Sequence, residues 1–334
     1  MQPRGFPAAA YLPAQRADNT TLERMVRVTA ATAKKPMTKG ARLRKRRNNL
    51  AGLAFISPWL FGLLVFTSIP MLYSLYLSFT KFDGLGDPKW YGLNNYINMF
   101  QDGVFWKSVG ITFQYVFILV PLRLSAALGV AMVLASNHRG IGLYRTVYYI
   151  PSLLSGSVAI AIIWSKLFGT DGAINGILTM MLGRPMTYNW VGEPATALYS
   201  LILLGCWHFG SSMLIFVSGL KQIPQSYYEA ALIDGASPWQ RFSRITLPML
   251  TPVIFFNLVM GIINAFKAFS EALIITDGGP MNRTMLFALY IYKQGFTYFK
   301  MGYACAMSWV LLLIISVFSI FVFKSSDGWV HYEE

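Results

Sequence analysis

The chain reads as long apolar runs separated by short polar stretches, without the strict alternation of a half-buried strand. Six of these runs are long enough, at 1.5 Å per helical residue, to cross about 30 Å of hydrocarbon. They predict helices at roughly 52 to 79, 109 to 135, 144 to 168, 196 to 220, 252 to 275 and 302 to 323. The predicted fold class is all-α, a polytopic membrane protein with six transmembrane helices. Pro58, Pro70, Pro121 and Pro151 fall inside the runs. A membrane bundle tolerates such prolines where neighbours satisfy the freed carbonyls, so kinked spans are expected.

The polar connection at 221 to 252 departs from a plain loop. Glu229, Ala230, Ala231, Leu232 and Ile233 favour helix, Asp234 and Gly235 break it, Ser237 can cap a second helix, and Pro238 suits its first position. Trp239, Phe242 and Ile245 then recur at three-residue spacing as an apolar stripe. The pattern predicts a helix-turn-helix with one acidic and one aromatic side, a surface built for docking.

Composition supports the membrane reading. Of the 334 residues, 55% are hydrophobic and only 13% charged, about half the share usual in a soluble domain. Disordered, collagenous, coiled-coil and disulfide-framework classes are excluded. Cys206 and Cys305 lie inside apolar runs and are expected to be buried thiols, and His138, His208 and His331 are too far apart for an i, i+4 metal pair.

The net charge of +14 would suit a nucleic-acid binder, but its placement argues otherwise. Twelve of the 28 Lys and Arg lie in residues 1 to 50, beside only two acids. Residues 1 to 48 are expected to be a basic, disordered cytoplasmic tail attracted to anionic membrane lipid, with no nucleic acid involved. It lacks the apolar stretch and small-residue cleavage site of a secretory signal peptide, so none is expected there. With the N-terminus inside, Lys and Arg on the cytoplasmic side outnumber those outside by eighteen to seven, so both termini, including the short tail at 325 to 334, are expected in the cytoplasm.

The connection at 221 to 252 carries a family resemblance. Glu229-Ala230-Ala231, Asp234-Gly235-Ala236, Phe242, Ile245, Leu247-Pro248 and Pro252 resemble the EAA loop of ATP-binding-cassette importer permeases. Further stretches are similar to the maltose-type and glycerol-phosphate-type carbohydrate permeases: I-P-M-L-Y-S-L-Y-L-S-F at 69 to 79, Y-G-L-N-N-Y at 91 to 96, R-T-V-Y-Y-I-P-S at 145 to 152 and T-D-G-G-P at 276 to 280. The resemblance spans about residues 50 to 324 and implies a six-span permease domain at 49 to 324 with the type I importer fold. It also implies a bacterial inner-membrane location, a homologous second permease, an ATPase dimer and an extracytoplasmic solute-binding protein. In that family the EAA loop seats in the ATPase, which makes Glu229, Ala230, Ala231, Asp234, Gly235, Trp239 and Phe242 the candidate coupling residues. The chain has no G-x-x-x-x-G-K-[ST] segment, so no cofactor is expected on it, and ATP and Mg belong to the partner ATPase.

Charged side chains inside spans cost about 2.5 to 3.5 kcal/mol at the bilayer centre, so each is a candidate for the substrate path. Asn257, Gly261, Asn264, Lys267 and Glu271 would share one face of a continuous fifth helix. Lys267 and Glu271, at i and i+4, either pair with each other or touch substrate. In the fourth span Trp207, His208, Ser211 and Ser212 join an aromatic face to hydroxyls, as a sugar ring requires, although Trp207 equally suits packing. Arg123 either bonds carbonyls freed by Pro121 or faces an anionic group, Glu271 or substrate. Convergence of Arg123, His208 and Lys267 would favour an acidic sugar, uronate-bearing or phosphorylated. Two other classes stay open: a secondary transporter would leave the EAA loop unexplained, and a membrane-embedded enzyme would have only Glu271 and Lys267 as a close acid and base.

Overall fold

The computed structural model describes residues 52–136 and 140–330. The tail at 1 to 48 lies outside the described residues, as do His138, Arg139 and the last four residues of the 325 to 334 segment. The chain divides into two compact units, Met1–Ile69 and Pro70–Glu334, the division falling within the first helix, α1 (Gly52–Ser78). In the first unit the described part of α1 buries none of its residues, and Phe55, Trp59 and Phe66 are strongly exposed. Such a helix suits a lipid surround. Its Leu64–Ser68 turn is π-helical.

The second unit starts with an antiparallel two-residue pair, β1 (Thr80–Lys81) and β2 (Lys89–Trp90), in the register Thr80 to Trp90 and Lys81 to Lys89. A short helix α2 (Asn94–Gln101) leads into α3 (Gly103–Leu134), whose 32 residues span about 48 Å. Asp102 starts α3 by accepting the Val104 N–H at 2.8 Å. Pro121 sits inside α3 without breaking it.

After α3 come α4 (Ile141–Leu153), α5 (Val158–Leu167), α6 (Ala173–Leu182), α7 (Ala197–Trp207), α8 (Gly210–Gln222) and α9 (Gln225–Ile233). They are followed by α10 (Pro238–Met249), α11 (Thr251–Phe266), α12 (Ser270–Thr276), α13 (Phe287–Tyr292) and α14 (Met301–Ser326). The main core joins Val116, Leu119 and Val120 of α3 to Leu201 of α7, Phe255 and Ile262 of α11, Phe287 of α13 and Met307 of α14. A second cluster packs Ala127, Ala131 and Leu134 of α3 on Met213, Phe216 and Val217 of α8. The long helix is thus the spine of both cores.

Among the described residues three helices are long and apolar enough to cross a membrane alone: α1, α3 and α14. The other predicted spans are bent pairs, α4 with α5 at 96°, α7 with α8 at 43° and α10 with α11 at 64°. The third span, expected at 144 to 168 with a kink at Pro151, keeps that proline inside α4 and folds sharply at Gly156 instead, with φ +77°. The continuous fifth helix expected over 252 to 275 is also corrected. It ends at Phe266, Lys267 leaves the helical region at φ −90° and ψ 2°, and Phe269 at φ −152° starts the separate α12, which packs on α5. Cys206 and Cys305 are free thiols and half-buried, less enclosed than their apolar runs imply.

Candidate functional site

The connection at 221 to 252 folds as its residues dictate. α9 ends in a closed turn: Ala236 N–H donates to Ala231 O at 2.9 Å and Gly235 N–H to Leu232 O at 3.1 Å, with Gly235 at φ +73°. This six-to-one and five-to-two pair is a Schellman stop, which favours glycine at that position. Ala230 O accepts the Asp234 N–H at 3.0 Å. Ser237 then caps α10 in a full capping box with Gln240, and Pro238 takes the first turn. The E-A-A-x-x-D-G-A-S-P string is therefore a complete stop-and-start signal. Across the hairpin, Tyr228 and Thr246 share a hydroxyl hydrogen bond of 2.9 Å. That tie was not read from the sequence, because it links side chains 18 residues apart.

What the turn presents is apolar. Ile233 is 87% exposed and Trp239 71%, with Leu232 and Tyr227 also exposed and Glu229 open beside them. Trp239 and Phe242 lie in ring contact with centroids 5.5 Å apart. The Phe242–Thr246 turn of α10 is π-helical, which shifts Ile245 off a regular stripe.

Deeper in the bundle, the break between α7 and α8 leaves the His208 carbonyl without a helical partner, and two remote side chains fill the gap. Arg123 Nη2 donates to His208 O at 2.6 Å, and Ser152 Oγ donates to the same oxygen at 3.1 Å. Ser152 Oγ also accepts the Ser211 N–H at 3.2 Å. A cation at a helix C-terminus is electrostatically favoured. The expectation that Arg123 serves the carbonyls freed by Pro121 is thus corrected: α3 runs through that proline intact, so the open carbonyl is in the other span. Gly210 permits the arrangement, since a Cβ there would stand 2.6 Å from Tyr148 O and 2.8 Å from Tyr149 Cα. The R-T-V-Y-Y-I-P-S string thereby gains a structural reason in Ser152, for which the sequence offered only its place after Pro151.

A cavity of about 250 Å³ opens where α3, α8 and α11 meet. Arg123, Ser211, Asn257 and Asn264 line it, together with Ser212 and Gly261. Asn257 is nearly buried and donates to Val253 O at 3.0 Å, while Asn264 is exposed. The other expected members stand apart from its lining. Trp207 stacks on Trp164 at 6.0 Å between centroids, and His208 is 3% exposed with no partner at Nε2. Lys267 and Glu271 form no pair; among the described residues the ion pair is Lys293 to Asp277 at 2.8 Å. The end of α11 at Phe266 removes the helical spacing that would have joined them. Glu271 lies in the first turn of α12. No group of His, Cys, Asp and Glu among the described residues could hold a metal.

Residues 127–327 match the family described as binding-protein-dependent transport system inner membrane component. The chain is 52% identical to the "Probable ABC transporter permease protein YesP" of Bacillus subtilis, over 86% of this chain and 94% of that protein. It is 33% identical to the lactose transport system permease protein LacF of Rhizobium radiobacter, over 84% and 96% of the two chains. Its fold matches a crystal structure of a bacterial alginate ABC transporter in complex with alginate pentasaccharide-bound periplasmic protein, with a TM-score of 0.74 at 20% identity, covering 85% and 96%. An exposed stop-and-start turn on a bundle of broken spans agrees with these likenesses. The chain belongs to the binding-protein-dependent transport system inner membrane components, among the permease subunits of carbohydrate ABC transporters, which are transport components and not enzymes.

Proposed function

We propose that the chain forms one half of the translocation pathway of an ATP-driven sugar or oligosaccharide importer and is coupled to an ATPase dimer through the α9–α10 turn. The observation that carries this reading is the turn itself. A locally closed backbone holds Leu232, Ile233 and Trp239 outward beside Glu229, an apolar surface larger than a free hairpin needs. In the complex the apolar side chains fill a cleft of the ATPase, and Glu229 meets a basic residue of it. Residues 49 to 324 act as the permease domain, and the basic tail at 1 to 48 keeps the N-terminus in the cytoplasm of a bacterial cell. A homologous second permease completes the pathway, and an extracytoplasmic binding protein delivers the sugar, as the alginate complex and the lactose system of the relatives suggest by analogy.

Within the bundle, the cavity at Arg123, Ser211, Asn257 and Asn264 is the proposed sugar path, with amide and hydroxyl groups for sugar hydroxyls. Arg123 is the cation in its lining, which supports an acidic sugar, a uronate or a sugar phosphate. The test is co-purification from membranes expressing the whole transporter. A stoichiometric ATPase is expected with the wild-type chain and is lost with Glu229→Ala or Gly235→Pro; an active chain free of ATPase would overturn the reading. Uptake of neutral against uronate-bearing oligosaccharides, with Arg123→Gln alongside, tests the charge. Equal uptake of both by wild type and variant would remove the acidic preference.

A further inference from the structure

A cavity of about 1030 Å³ lies away from the path above, between the β1–β2 hairpin, α2, and the segment joining α13 to α14. It occupies the connections after the first span and before the sixth, which a six-span chain places on the side opposite the α9–α10 turn. Its frame is rigid. Asn95 Nδ2 donates to Ser78 O at 2.9 Å and Thr80 O at 2.8 Å, and Gly302 N–H donates to Phe82 O at 3.1 Å. Asp102 Oδ2 accepts from the hydroxyls of Tyr290 and Tyr303, and Gln294 Nε2 donates to the Tyr290 oxygen at 2.7 Å. One acceptor in this network is left over: Gln294 Oε1 is buried and has no partner, though the residue is only 7% exposed and lines the cavity. Buried acceptors are rarely left open, so a donor from outside the chain fits here. At the rim, Phe299 holds φ +54°, costly for a bulky side chain, with its ring more than half exposed. Three lysines and three aspartates line the space, so its charges balance.

We infer that this cavity is a second carbohydrate subsite, an antechamber on the outer face that takes a neutral or uronate oligosaccharide before it enters the span cavity. The exposed Phe299 ring stacks on the apolar face of a sugar ring, and the Gln294 carbonyl, turned toward the cavity, accepts a sugar hydroxyl. The inference rests on the importer reading above. The test uses the intact transporter in nanodiscs without its binding protein, titrated with maltotriose and with trigalacturonate and read by saturation-transfer NMR. Wild type is expected to bind at least one probe, and Phe299→Ala and Gln294→Leu each weaken that binding by about tenfold, with binding-protein affinity unchanged. No transfer to either probe in wild type, or equal transfer in both variants, would overturn the subsite. Loss of binding-protein affinity with sugar transfer intact would assign the cavity to a loop of that protein instead. Sugar uptake by wild type separates the two readings: its absence sinks the importer assignment, whereas uptake with unaffected variants sinks the antechamber alone.

Discussion

The chain interrupts its helices in two contrasting ways. At the α9–α10 turn the hydrogen bonds that close the break come from within a few residues, from Ala231, Leu232, Ser237 and Gln240. At the α7–α8 break the open carbonyl of His208 is served by Arg123 and Ser152, 85 and 56 residues away. A break on the surface can be closed by its own sequence because water tolerates an imperfect fit. A break among apolar helices cannot, since an unmet carbonyl there costs about 1–3 kcal/mol. The first is closed on itself, while the second is tied to its neighbours.

The contrast can be broken hardest at Arg123. Arg123→Met removes a charged donor from a partly buried carbonyl and is expected to destabilise the bundle by about 1.5–3 kcal/mol, seen as a lower melting temperature in detergent. Ser152→Ala should lose less, and a double-mutant cycle should show coupling, because both serve one oxygen. Additive losses would mean that the two donors act independently. Next comes Gly235→Ala, which forces a side chain into the left-handed region at about 1–2 kcal/mol. Its melting temperature should hardly change while ATPase recovery falls, because the strain is confined to a separate turn; an equal fall in melting would erase the distinction. Ser237→Ala should cost about 1 kcal/mol at the α10 start and weaken ATPase binding modestly.

The smallest effect is a pH dependence at Asp102. Burial raises its carboxyl pKa, but the Tyr290 hydroxyl, the Val104 amide and the Tyr303 hydroxyl outweigh that and hold it below the ordinary value of 3.8. A depressed carboxylate pKa adds stability that is present above the ordinary value and is lost as pH falls through the folded one. Melting measured from pH 6 to pH 3 should therefore decline more steeply for wild type than for Asp102→Asn.

The same difference in range explains what could be read from the sequence. The α9–α10 turn was legible residue by residue, since Gly235, Ser237 and Pro238 each act on their immediate neighbours. The spans were legible as apolar runs, but their breaks were not. Nothing local in Ala265-Phe266-Lys267-Ala268-Phe269 stops a helix; packing of α12 on α5 does, and propensity yields to tertiary contact. Arg123 was recognised as a buried cation in search of a partner. Its partner could not be named without knowing which span lay beside it.

The 64° angle between α10 and α11 has a mechanical meaning. A thrust applied along α10 delivers less than half its magnitude along α11, because the cosine of that angle is below one half; the larger part acts sideways. Between the point of application and the elbow sits the Phe242–Thr246 π turn. The joint has the geometry of a bell crank: an axial stroke at the turn would tilt α11, the helix that carries Asn257 and Asn264 along the cavity wall.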